Sequence, residues 1–488
     1  MFKYYNHLGS RAYYRNESDS STVHSSFCDC VSADKSQLRE IDETSILSIL
    51  MKNYIIGDGT LVKGIQRTPW MSRPTENGSW IDANLPTHGR AVVGATEASE
   101  ALHYHLRAEV LEFISNKRNV GILLSGGMDS RIVAGILREL QLSGEYSGQV
   151  VALTWGIPES RDVVYAQRIA NEFGWDFRYF ELNASVLLRN IELTAERGAE
   201  YSPVHLHAME SVSKVKGVDG ILGGSYGDSI GRGEYSGRRT DKLPHILEKH
   251  LNHFAFMSLP IQKAAMANIR LQLSQSRNRF PGRNEMAYRE IEMQMHYMRR
   301  QLNACMEVID NNIPLYQMFS SPQAFGYMWS LTSQSRSDDV YEALLKSLPA
   351  SLQQIPWART GRKYNTNSDQ VEDTHTALNN RYGMWLRTEL RPYIIELISD
   401  GYLQGLGVFN QASLEAWKQH WPNSDSPKAD RLDEKMAWLA SLALFVKKYN
   451  IQPIQSKSKS NPLGDAAHLT KALLHTKIYH AALKWKGK

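Results

Sequence analysis

Cysteine is scarce in this 488-residue sequence: Cys28, Cys30 and Cys305 are all there are. Three thiols cannot build a disulfide framework, which points to a reducing compartment. Cys28-x-Cys30 is half a zinc site, because no second Cys or His pair stands at zinc-ligand spacing, and two buried or loop thiols are the simpler reading. Long apolar runs are also missing, so no transmembrane helix is expected. The opening stretch MFKYYNHLGSRAYYRNE lacks the apolar centre of a secretory signal, and a cytoplasmic location is the expectation. Charge of one sign is lacking too. Lys and Arg number 56 against 51 Asp and Glu, a net +5 too mild to imply nucleic acid. With 42% hydrophobic and 22% charged residues, the composition is that of a globular chain with ample core material, in two or three domains.

No internal repeat is present. In a short N-terminal region, 1–92, residues 1–40 are polar and aromatic, with a Ser/Asp-rich run at Ser18–Ser26, and predict a weakly ordered stretch or a small cap without its own core, while residues 72–92, punctuated by Pro74, Asn77-Gly78, Pro86 and Gly89, read as loop. The spacing predicts a helix over 95–117, capped by Thr96. The period then changes. Val120–Leu124, Gln149–Trp155, Asp176–Leu182 and Gly220–Leu222 read as short buried strands, with amphipathic helices after the first two. Strands alternating with helices predict an α/β fold with a doubly wound parallel sheet over 93–235. Residues 236–448 read as helical throughout, and their Met and aromatic stripes as core. Residues 449–488 read as a Ser/Lys/Pro linker, Ile451–Gly464, and a basic terminal helix, a solvated element whose sharper reading is weak docking to an anionic membrane surface.

The chemistry concentrates in Ser125-Gly126-Gly127-Met128-Asp129-Ser130-Arg131, between a buried strand and an amphipathic helix. Small consecutive residues let backbone N–H groups approach phosphate oxygens, and a helix N-terminus adds positive potential. Asp129 would repel phosphate unless Mg²⁺ lies between. The string is neither a Walker loop, having no Gly-Lys-Ser/Thr, nor a dinucleotide G-x-G-x-x-G.

This string resembles the pyrophosphate loop of the N-type ATP pyrophosphatases, enzymes of adenine nucleotide alpha hydrolase-like (PP-loop) fold that adenylate an acceptor oxygen. Leu153–Gly156 with Glu159–Ala170, and Gly217–Gly233 (GVDGILGGSYGDSIGRG), resemble the second strand and second nucleotide loop of the asparagine synthetase C-terminal synthase domain. Asn312–Tyr316 and Leu348–Lys363 resemble helical segments completing that site, and Asn53–Trp70 the closing strands of the family's glutaminase domain. The resemblance spans residues 45 to about 445, the α/β core 93–235 and the helical part 236–448 together making the synthase domain. It implies that Leu124, Trp155, Gly223 and Gly224 contact the adenosine of ATP, and that Ser125, Gly126, Gly127, Asp129 and Ser130 hold its pyrophosphate. It also implies that Asp129 and Asp228 bind Mg²⁺. Two carboxylates at neighbouring strand ends can share such an ion.

Two departures stand out. A glutamine-hydrolysing member carries a nucleophilic Cys at position 2, where this chain has Phe2, and only about 120 residues precede the loop. The glutaminase part is therefore a remnant, and nitrogen comes from ammonia, an amine, or a separate glutaminase partner. The family's acid/base Glu aligns with Ser225, a poor base. Tyr226 follows, one position off the alignment with the Tyr by which β-lactam synthetases, which the chain also resembles, help to deprotonate the amine. The family's Lys after the Leu-Pro segment is missing, and Arg359 is the expected substitute; Arg362 and Lys363 read as a solvated cluster.

The expectation is thus an ATP-dependent, AMP-forming amide ligase with Asp129, Arg359, Tyr226 and Ser225 in catalysis, acting on aspartate or on a polysaccharide or peptide carboxylate. The alternatives are a nucleotide-binding scaffold and, lower, a tRNA-modifying adenylase, which would want a C-x-x-C pair.

Overall fold

The computed structural model describes residues 8, 11–33, 38–248, 254–363, 374–424, 430–455 and 461–486. Its centre is a five-stranded sheet of β1 (Asn119–Leu123), β2 (Gln149–Gly156), β3 (Asp176–Glu181), β4 (Gly220–Gly223) and β5 (Leu315–Gln317), in the order β5-β4-β1-β2-β3 with every pairing parallel. Successive side chains of each strand enter different cores. Val120, Ile122, Val150, Ala152, Leu222 and Tyr316 face one core with the helices α1 (Ala95–Ile114), α2 (Met128–Leu142) and α3 (Arg161–Phe173). Leu123, Val151, Leu153, Ile221 and Leu315 face the other, with Leu193, Met209 and Ile309. A sheet buried on both faces explains why its strands read as continuous apolar runs, and the doubly wound α/β expectation is met.

Several boundaries differ from expectation. Asn312–Tyr316, expected in a helical segment, contributes the edge strand β5: Leu315 and Tyr316 alternate between the two cores as a strand requires. α1 ends at Ile114 and is capped by Gly94, not Thr96. Residues 72–92 are not all loop, since Ser72–Pro74 and Trp80–Asp82 pair antiparallel.

The N-terminal region forms a small sheet in which Tyr14–Asn16 lies between Asp19–His24 and Ile65–Arg67. A helix, Glu43–Lys52, follows the Asp42 cap, whose carboxylate accepts from the Thr44 and Ser45 N–H groups. The apolar residues of this region share one core with the helix Asp430–Tyr449: Phe27 packs edge-on to Tyr449 at 5.6 Å. Ile451–Ile454 is pinned rather than free, Gln452 donating its N–H to Arg39 O and accepting from Ile41 N. Phe2 and residues 456–460 of the expected linker lie outside the described residues. Among the described residues no helix is long and apolar enough to cross a membrane.

Candidate active site

The chain leaves β1, crosses to β2 and β3 on one side, then returns to β4 on the other. The crevice outside the C-terminal ends of β1 and β4 is therefore a topological switch point, where such sheets bind ligands. Both suspect loops sit there: Ser125–Ser130 after β1 and Gly224–Asp228 after β4. They are pressed together. A Cβ on Gly224 would stand 2.9 Å from Ser130 N, so the second loop needs a bare backbone at that point. Tyr226 takes φ 76°, and a single π-helical turn, Gly227–Gly231, follows, an irregularity frequent at functional sites.

A cavity of about 440 Å³ opens between the loops. Gly127, Asp129, Asp228 and Arg359, all anticipated, line it, together with Asp162, Arg232, Glu234 and Trp357, which were not. Gly127, which caps α2, lines the cavity with Met128 and Asp129, so the positive end of the helix dipole stands at the cavity.

Asp129 is the most perturbed group of the site. Burial first, and the Asp228 carboxylate second, hold its carboxyl well above the usual carboxylate range. Its Oδ1 is buried without a hydrogen-bond partner, as is the Tyr341 hydroxyl close by; the same two carboxylates, after burial, push the Tyr341 hydroxyl far upward. Asp228 is countered by Arg232, whose Nη2 lies 2.6 Å from Asp228 Oδ1 while Nη1 lies 2.6 Å from Asp338 Oδ1. Arg232 is buried and sits over the rings of Trp357 and Tyr341. Arg359 is half-exposed, 2.9 Å from Glu234 Oε1 and stacked over Trp357.

An orphaned, buried carboxylate oxygen beside a second carboxylate fits a divalent cation. No group of three or more metal-ligating side chains occurs among the described residues. Mg²⁺ needs no such group, because it is commonly held by one or two carboxylates plus phosphate oxygens and water.

The other anticipated residues stand behind this surface. The Ser125 and Ser130 hydroxyls bond to each other at 3.1 Å. Ser130 Oγ also takes the Ser125 N–H, and Ser125 Oγ takes the Gly127 N–H. Gly126 donates to Asp162 O and accepts from Ala358 N, closing the loop against its neighbours. Leu124 is buried, its carbonyl bound by Thr154 Oγ1. Trp155 stacks towards His207 at 6.3 Å. Gly223 abuts Gln317, whose Oε1 accepts the Ser225 N–H at 3.1 Å. The Tyr226 ring is buried in the core, its hydroxyl turned to Leu8 O at 3.5 Å, and does not line the cavity.

Arg131 is a positioning residue that the motif contained but sequence reasoning left unassigned. Fully buried, it donates to the carbonyl oxygens of Leu352, Ile355, Pro356 and Gly126. One guanidinium thus fastens the segment carrying Trp357 and Arg359 to the loop after β1. Arg232 had a weaker signal, an Arg four residues after Asp228 on a helical turn.

Residues 101–338 match the family model described as asparagine synthase. No curated protein sequence matches the chain. Among solved structures, a U34-tRNA thiolase, NcsA, from Methanococcus maripaludis is 15% identical over 57% of this chain and 84% of its own, with a TM-score of 0.22. An NMN synthetase from Francisella tularensis is 10% identical over 57% of this chain and 100% of its own, with a TM-score of 0.22. A predicted subunit of tRNA methyltransferase from Methanocaldococcus jannaschii is 19% identical, with 25% of this chain and 56% of that one covered and a TM-score of 0.17; this chain thus spans little more than half that protein's length. The matched segment, which is similar to the asparagine synthase family over residues 101–338, carries the whole parallel sheet and both loops.

Proposed function

We propose that this protein is an ATP-dependent, AMP-forming amide ligase. A carboxylate oxygen of the acceptor attacks the α-phosphorus of ATP, the bond to the bridging oxygen breaks, and pyrophosphate leaves. An amine or ammonia then attacks the activated carbonyl, loses a proton, and AMP departs. The observation that carries the reading is the Asp129–Asp228 pair, brought from two loops to one crevice with Asp129 buried and Oδ1 unpartnered. Burying the Asp129 carboxylate beside a second one is costly, and a site retains such a pair where a cation repays the cost.

Mg²⁺ held by Asp129 and Asp228 would neutralise the leaving pyrophosphate. The first turn of α2 offers N–H donors to the phosphates. Arg359, at the mouth of the cavity, meets the charge that grows on the leaving group, and its exchange from Glu234 to phosphate keeps it paired throughout. Arg232 holds Asp228 in place and cannot lose its charge. Ser225 and Tyr226 do not line the cavity, whereas Glu234 and Asp162 do, and one of these or water takes the proton of the attacking amine in this reading.

The acceptor is aspartate or a larger carboxylate of a polysaccharide or peptide. Nitrogen is supplied as ammonia or an amine, or by a separate glutaminase subunit. Cys28 is exposed in the helix Phe27–Ala33 and Cys30 is buried there. The deciding experiment measures pyrophosphate and AMP release from Mg·ATP with aspartate plus ammonia, then with a panel of carboxylates. Release dependent on one carboxylate supports the ligase and names its acceptor. ATP binding without release under any condition overturns it in favour of a nucleotide-binding scaffold.

A further inference from the structure

Behind the nucleotide crevice runs a buried chain of polar side chains. Its centre is Glu290, fully buried in the helix Glu285–Glu292. Arg336, also buried, grips both carboxylate oxygens, Nη1 to Oε1 and Nη2 to Oε2, at 2.8 Å each. His88 Nε2 lies 2.7 Å from Oε2, its ring stacked on Trp329 at 4.0 Å. The Tyr235 hydroxyl donates to Oε1 at 3.0 Å. Burial opposes the charge of Glu290, but the Arg336 guanidinium and then His88 outweigh it and hold the carboxyl down to about 2.

An ionised carboxylate only accepts, and this fixes each bond further along. The Tyr235 hydroxyl gives its one proton to Glu290 and accepts from Gln294 Nε2 at 2.8 Å. Gln294 stands four residues, one helical turn, after Glu290 and is likewise fully buried. Its amide donates a second bond, at 3.2 Å, to Ser229 Oγ, which gives its own proton to Tyr226 O. Gln294 Oε1 is left buried with no hydrogen-bond partner among the described residues. An orphaned buried acceptor costs stability, so stability alone does not account for a glutamine here.

Both ends of the chain reach the crevice. Ser229 follows Asp228. Tyr235 follows Glu234 on a strand, where successive side chains point to opposite sides. On the crevice side Arg232 bridges the two carboxylates, 2.6 Å from Asp228 and 3.5 Å from Glu234. The chain ties the same two segments together from behind. We propose that Gln294, oriented by the charge of Glu290, is a positioning residue for the reaction proposed above, on which this role rests. It locks the loop that carries Asp228 to the strand that carries Glu234, and so sets where the Mg²⁺ ligand Asp228 stands relative to Glu234 and its partner Arg359.

The test uses the full-length protein and α,β-methylene-ATP, whose α–β bridge is not cleaved. Calorimetry follows its binding at rising Mg²⁺, and a melting curve is taken for each variant. Gln294→Leu removes both amide bonds together with the orphaned oxygen, and it leaves the Tyr235 and Ser229 hydroxyls their acceptors. Its melting temperature should therefore not fall, while the Mg²⁺ concentration for half-maximal binding should rise about tenfold. Tyr235→Phe cuts the same chain at its middle and should raise that concentration by a similar factor. The double variant should go no further than either single one, because residues of one network are not additive. His88→Leu takes a bond from Glu290 outside the chain; it should melt lower than wild type and keep the wild-type Mg²⁺ requirement. An unchanged Mg²⁺ requirement in Gln294→Leu, additive losses in the double variant, or a requirement that follows melting temperature across all the variants would each overturn the positioning role. The analogue is not turned over, so the two readings fail differently. Wild type that binds no analogue overturns the nucleotide site and this role with it; wild type that binds it, matched by Gln294→Leu, overturns this role alone.

Discussion

Gly227 stands directly against Asp129: a Cβ at position 227 would lie 2.4 Å from Asp129 Cγ. The second loop therefore sets where the first loop's carboxylate sits. Gly227→Ala has to move either backbone or carboxylate, because both neighbours are packed, at a cost of about 1–3 kcal/mol. Its expected outcome is a lower melting temperature together with loss of pyrophosphate release. A variant as active as wild type would show that the position of Asp129 is not critical.

The Asp129 carboxyl titrates above its ordinary range in the folded protein. Between the unfolded and folded values the folded chain holds the extra proton, so stability is greater at the acid end of that window and falls as pH rises through it. Asp129→Asn abolishes this cost while keeping the shape. At neutral pH the variant should melt higher than wild type and yet release no pyrophosphate. Mg²⁺ should raise the melting temperature of wild type and not of the variant. Equal Mg²⁺ stabilisation of both proteins would remove Asp129 from the cation site.

Much of this was legible in the sequence because it is local. Val120–Leu124 followed by Ser-Gly-Gly-x-Asp-Ser specifies strand, loop and helix within a dozen residues, and Asp129 lines the cavity as expected. What sequence patterns did not yield is set by distant partners. β5 is three residues long, and only its pairing with β4 makes it a strand. Arg131 looked like an ordinary helix residue, because its four carbonyl partners include three more than 200 positions away. Tyr226 sits in a loop that reads as catalytic, but a left-handed backbone turns its ring into the core.

Arg131→Met tests the fastening of the Trp357–Arg359 segment. The substitution strands buried carbonyl oxygens that a charged donor now satisfies, and the expected loss is about 3 kcal/mol or more. If the fold survives, pyrophosphate release should slow, because Arg359 is no longer held at the crevice. A stable variant with wild-type kinetics would show that the segment holds itself.

Arg359 and Tyr226 make opposite predictions, and together they locate the chemistry. The ion pair of Arg359 with Glu234 is half-exposed, so Arg359→Gln should cost little stability. If Arg359 meets charge on the leaving pyrophosphate, the same change should lower the rate of its release by about 100-fold. Arg359→Lys should recover only part, since an ammonium cannot make the bidentate contact of a guanidinium. Tyr226→Phe removes a hydroxyl that reaches Leu8 O and not the cavity. Its turnover should stay within about threefold of wild type, because the lost contact lies outside the reacting atoms. A collapse of turnover in Tyr226→Phe, with an intact fold and a shifted pH profile, would mean that the loop after β4 rearranges on binding nucleotide and brings the phenol to the amine. In that case Tyr226, and not Glu234 or Asp162, would take the proton.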